Sequence, residues 1–70
     1  MTIMNFELKG DYIELNKLLK LTGVAESGGT ANFMIANKEV SCNGLLESRK
    51  RLKLKKGDLV QIGDVEIKIV

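Results

Sequence analysis

The stretch SGGTANFMIANKEVSCNG, residues 27–44, changes its hydrophobic period midway, and that change decides the fold class. Ser27 is a good N-cap, and Ala31, Met34 and Ile35 recur at helical spacing, so a helix is expected from Ser27 to about Asn37. From Glu39 the period falls to two, with Val40 and Cys42 alternating with Glu39 and Ser41. Asn43-Gly44 is then a strong hairpin signal, because a type I′ turn needs positive φ at both central residues. The return strand starts at Leu45. A helix followed at once by an antiparallel hairpin indicates an α+β fold.

Working outward, Met4, Phe6 and Leu8 alternate with Ile3, Asn5 and Glu7, which predicts an initial strand ending at a Gly10-Asp11 turn. Leu15, Leu18 and Leu19 predict a short helix over about 14–21, stopped at Gly23. On the other side, residues 49–55 place Leu52 and Leu54 opposite Arg51, Lys53 and Lys55, which predicts a strand before a turn at Lys56-Gly57-Asp58. Around Gly63-Asp64 a two-residue loop pairs Ile62 with Val65, Val60 with Ile67, Gln61 with Glu66 and Leu59 with Lys68. The expected architecture is two short helices packed on a small, largely antiparallel β-sheet.

At 70 residues the chain is expected to form a single domain over residues 1–70. One Cys cannot make an internal disulfide, and with no His there is no zinc-type ligand set. No apolar run approaches the roughly 20 residues needed to span a bilayer, and no signal peptide is visible at the N-terminus. The expectation is a cytoplasmic protein with no metal, no cofactor and no membrane association. Catalysis has little support: no His is present as a base, and Asp58 and Asp64 sit beside turn glycines. Cys42 alternates inward with Val40 and reads as a small buried hydrophobe.

The net charge of +2 hides an asymmetry. Residues 1–35 carry three Lys against four acids, whereas residues 36–70 carry eight cations against five acids. Six of those cations, Arg49, Lys50, Arg51, Lys53, Lys55 and Lys56, fall within residues 49–56 with no acid among them. On an extended chain Arg51, Lys53 and Lys55 would form a row about 6–7 Å apart, able to follow a phosphate backbone. Lysines on an edge strand also deter aggregation, but six cations exceed what that requires.

The order Ser27-x-x-x-Ala31-x-x-x-Ile35, then Val40 and Asn43-Gly44, then a basic stretch and Lys56-Gly57-Asp58, resembles the S4 RNA-binding domain. Leu15-Asn16-Lys17-Leu18-Leu19 is similar to that domain's first helix. The resemblance covers about residues 13–62 and is closest to the small stand-alone YbcJ/YaaA-like type of the family. It implies an αL-type fold that binds structured RNA, rRNA or tRNA-like, with ribosome association as a corollary. The chain departs from the family pattern at three positions. Gly28 stands where Arg is typical, Lys38 where Gly is frequent, and Glu14 where the first helix often begins with Arg. The cluster at 49–56 is the expected compensation for the missing cations.

Candidate RNA contacts are therefore Arg49, Lys50, Arg51, Lys53, Lys55 and Lys56, together with several residues outside that stretch. Ser27, Gly28, Gly29 and Thr30 open the second helix, where free N–H groups can meet a phosphate. The same four residues also read as a plain N-cap and tight turn. Lys17 lies on the polar face of the first helix. Asn43 is first a turn residue, with any RNA contact secondary. Phe33 sits opposite the Ala31/Met34/Ile35 stripe and could stack an unpaired base. The sequence nevertheless favours its packing under the N-terminal strand, where Phe6 and Met4 need partners. The expected function is non-catalytic RNA binding by phosphate and shape contacts. The alternative is a protein adaptor whose basic face docks an acidic partner.

Overall fold

Nine short elements make up the chain, and the computed structural model describes all 70 residues. They are β1 (Thr2–Phe6), β2 (Ile13–Glu14), α1 (Leu15–Leu21), α2 (Gly28–Ala36), β3 (Val40–Cys42), β4 (Leu45–Leu46), β5 (Lys53–Leu54), β6 (Leu59–Ile62) and β7 (Val65–Ile69). A five-stranded sheet runs in the order β1-β7-β6-β3-β4, and β2 pairs with β5 in a separate two-stranded ladder. No helix is long and apolar enough to cross a membrane.

The terminal hairpin adopts the expected register, with Leu59 opposite Lys68, Val60 opposite Ile67, Gln61 opposite Glu66 and Ile62 opposite Val65. Its inward side chains, Val60, Ile62, Ile67 and Ile69, join Val40 and Cys42 on the buried face of the sheet. Gln61 Nε2 donates to Glu66 Oε1 at 3.0 Å, which satisfies the polar pair. Against this face stand Leu15, Leu18 and Leu19 of α1 and Ala31 and Ile35 of α2, with Met34 partly buried. All are spaced as an amphipathic stripe requires. Asn43 (φ 52) and Gly44 (φ 87) both take the left-handed conformation that a type I′ turn needs.

The sheet is largely antiparallel, as expected, and its one parallel pairing sets β1 against β7, with Thr2 opposite Val65 and Phe6 opposite Ile69. One expectation is corrected. Residues 49–55 do not form one strand: only Lys53–Leu54 is extended, pairing with Ile13–Glu14, and Arg51 lies in a turn. The reason lies at the start of α1, whose cap residue Glu14 makes no side-chain capping bond. The carbonyls of Leu52 and Lys50 take that role, accepting from Leu15 N–H at 2.9 Å and Asn16 N–H at 3.0 Å. Both carbonyls thus face a helix end, and the chain before Lys53 folds into a turn closed by Leu52 N–H donating to Arg49 C=O.

The C-terminus of α2 gives a physical reason for glycine where this chain has Lys38. Glu39 N–H donates to Met34 C=O and Lys38 N–H to Ile35 C=O, the Schellman pattern, which puts Lys38 at φ 59. A residue with a Cβ is strained in that left-handed conformation. Lys38→Gly is expected to raise the unfolding free energy by about 0.5–1 kcal/mol, read by urea denaturation at unchanged m-value.

Candidate functional site

Arg49, Arg51, Lys53 and Lys55 line one open hollow of about 520 Å³, with Leu52 as its one apolar wall residue. The turn and the short β5 ladder, rather than a straight strand, bring these side chains together. Leu54, fully buried, and half-buried Leu52 anchor the segment to the core. The two carbonyl bonds to α1 fix its backbone from the other side.

The far end of the segment is held by Asn43. Its Oδ1 accepts from Leu59 N–H at 3.0 Å, and its Nδ2 donates to Asp58 Oδ1 at 3.2 Å. Asp58 Oδ2 in turn accepts from Lys55 N–H at 2.7 Å. Both ends of the Asn43 amide are therefore engaged in positioning the 55–58 turn beside the β3–β4 hairpin. The turn role of Asn43 holds, and its side chain acts as a brace for Lys55.

The cations differ in freedom. Arg49 is clamped by Glu47 through Nε to Oε2 at 3.0 Å and Nη2 to Oε1 at 2.9 Å, and the same Oε2 accepts the N–H groups of Ser48 and Arg49. This acid lies two residues before the acid-free stretch, so one of the six cations is neutralised in place. Arg51 and Lys55 have no carboxylate within ion-pair distance, and neither do Lys50 and Lys56. Lys53 Nζ lies 4.9 Å from the centroid of the Tyr12 ring, a cation–π arrangement. Tyr12 carries no sequence motif, and only the β2–β5 ladder reveals that it adjoins the basic segment.

The hydrogen bonds from Arg49 hold the Glu47 carboxyl down at about 2, well below the ordinary 4.5. A depressed carboxyl contributes stability at pH values above its ordinary range and loses it as pH falls through the folded value. Unfolding free energy is therefore expected to decline from about pH 4.5 to about pH 2. Glu47→Gln should remove that component of the profile, measured by thermal melts across the interval. Freeing Arg49 in this variant should also steepen the salt dependence of polyanion binding.

The remaining candidates lie outside the hollow. Lys50 and Lys56 are exposed but do not line it. Lys17 is on α1, paired with Glu14 at 3.7 Å. Ser27 caps α2 as expected, accepting from Thr30 N–H at 3.2 Å, with the Thr30 hydroxyl also at 3.2 Å. No atom lies within 4 Å of a Cβ built on Gly28, so packing does not demand glycine there. Phe33 corrects the expectation of burial: it is 66% exposed, and Met4 and Phe6 pack on the core without it. Between the helices, Asn16 Nδ2 donates to Asn32 Oδ1 at 3.2 Å, while Asn16 Oδ1 is buried without a partner. Cys42 is buried as expected, which pushes its thiol up to about 11, with Glu47 and Asp58 adding to the shift. At neutral pH it is therefore a protonated core side chain rather than a nucleophile.

The family profile described as "S4 domain" matches residues 6–70. The Escherichia coli (strain K12) protein named "Putative RNA-binding protein YbcJ" is 39% identical over 62 residues, covering 89% of each chain. The Bacillus subtilis (strain 168) "Probable ribosome maturation protein RlbA" is 38% identical over 52 residues, covering 74% of this chain and 73% of the relative. The solution structure of YbcJ from E. coli, described as revealing an αL motif involved in RNA-binding, superimposes with a TM-score of 0.76 at 37% identity. That match covers 100% of this chain and 90% of the other.

Proposed function

The chain belongs to the S4 domain family, and on that premise we propose that it is a non-catalytic RNA-binding protein that reads structured RNA through phosphate and shape. The observation that carries this reading is the hollow, where Arg51, Lys53 and Lys55 converge without carboxylate partners. Cations left unpaired at one concave surface are free to displace counterions from a polyanion, the main source of affinity for nucleic acid. Folded RNA is the fitting substrate, since its helices expose phosphates and 2′-hydroxyls rather than a readable major groove. Lys50 and Lys56 extend the field on either side. The α2 N-terminus with Ser27, Gly28, Gly29 and Thr30 supplies a second phosphate contact, and exposed Phe33 stacks an unpaired base. Lys17 and Arg49 contribute after release from their carboxylates.

The likeness to a relative named for ribosome maturation supports ribosomal RNA, in the cytoplasm, as the RNA bound. The test is purification from cell extract at low salt. RNA is expected to travel with the protein, raise its 260/280 nm absorbance ratio and come off in high salt. A preparation free of nucleic acid, with no affinity for purified ribosomal RNA at low salt, would overturn the proposal.

A further inference from the structure

We infer that an apolar niche beside the basic hollow is a receptor for one unstacked RNA base, with Tyr12 as its stacking wall. The inference rests on the RNA-binding reading and adds a second, chemically distinct subsite to it. The niche is an open concavity of about 310 Å³ whose apolar lining is Phe6, Leu8, Tyr12, Ile13 and Leu21. It lies where the end of β1, the turn before β2 and the last residue of α1 meet. Two of its walls are poorly covered by the fold: Tyr12 is 46% exposed and Leu21 66% exposed. Aromatic and aliphatic surface left open at a concavity is the usual lining of a ligand site.

Charge separates the two neighbouring concavities. The hollow is lined by four cations and no acid, so it takes phosphate. The niche includes Glu7 and Lys9, which cancel, and is otherwise apolar, so it suits an uncharged, planar, largely apolar group. A nucleotide carries both parts, and Lys53 joins the two sites. Its side chain lines the hollow, and its ammonium stands 4.9 Å from the centroid of the Tyr12 ring that lines the niche. A backbone phosphate held by Lys53 and its neighbours therefore places the attached base beside Tyr12. Stacking on an aromatic ring is tolerant of base identity and adds substantially to affinity. The arrangement selects RNA in which a helix is interrupted by a loop or bulge.

Two synthetic probes with the same base pairs test this: a fully paired RNA duplex, and that duplex with one added bulged 2-aminopurine. The unsubstituted protein is expected to bind the bulged probe more tightly and to quench its fluorescence. Tyr12→Ala should abolish the quench and weaken the bulged probe about five-fold or more beyond any change in duplex affinity. Tyr12→Phe should restore both, because the ring rather than the hydroxyl stacks. Leu21→Glu, at an exposed position, should mimic Tyr12→Ala without disturbing the fold. Duplex binding that persists with no preference for the bulge, or Tyr12→Ala and Leu21→Glu that bind the bulged probe like the unsubstituted protein, would overturn the niche alone. Failure of the unsubstituted protein to bind either probe would overturn the RNA-binding reading and the niche with it.

Discussion

Replacing Arg51, Lys53 and Lys55 together with Glu is expected to reduce affinity for structured RNA by about 100-fold or more near 0.1 M salt. Each neutralised phosphate contributes about 0.7–0.9 to the slope of log affinity against log salt, so between about 0.1 and 1 M it is worth roughly six-fold. Three such phosphates multiply to about two orders of magnitude, and reversed charge adds repulsion. The protein itself should remain folded, because all three side chains are exposed and none is held by a carboxylate. Surface changes of this kind usually alter stability by no more than about 0.5 kcal/mol. Only Lys53 gives up a folded-state interaction, its place over Tyr12, worth about 0.5–1 kcal/mol at an exposed site. Filter binding or fluorescence anisotropy, alongside circular dichroism, separates lost affinity from lost structure.

Leu54→Ala should have the largest effect on stability within the basic segment. Leu54 is 1% exposed and sits between two cations of the hollow, opposite Ile13 in the β2–β5 ladder. Truncating a buried Leu costs about 2–5 kcal/mol through lost transfer energy and the cavity left behind. Domains of this size have total stabilities of about 4–10 kcal/mol, so the loss is a large share. It should lower the denaturant midpoint sharply and release Lys53 and Lys55 from their fixed places. RNA affinity is then expected to fall although every cation remains. Leu54→Met, which keeps volume, should cost less than about 1.5 kcal/mol and retain binding.

These two residue sets mark where sequence reading succeeds and where it stops. The terminal hairpin was legible to the residue, because a two-residue loop and alternation on both flanks leave one register that buries Val60 and Ile67 together. The pairing of β1 with β7 was not legible. It joins residues some 60 positions apart, and nothing in Thr2–Phe6 signals a parallel partner.

The basic segment was legible in charge but not in shape. Its turn follows from the carbonyls of Lys50 and Leu52 capping a helix more than 30 residues earlier. Glu47, just outside the acid-free stretch 49–56, takes Arg49 out of the free set. Phe33 stays exposed because Met4 and Phe6 pack against the core without it. Tyr12 stands alone in sequence and acquires meaning only beside Lys53.

The central claim is that the hollow is a phosphate-binding surface, and the salt dependence of RNA affinity tests it most directly. Binding to purified ribosomal RNA should be measured from about 50 to 300 mM salt for the unsubstituted protein and for the Arg51→Ala/Lys53→Ala/Lys55→Ala variant. The prediction is a steep negative slope that flattens in the variant by about two, close to 0.7–0.9 for each phosphate the variant no longer neutralises. Equal slopes for the two proteins would contradict the phosphate-binding role of the hollow.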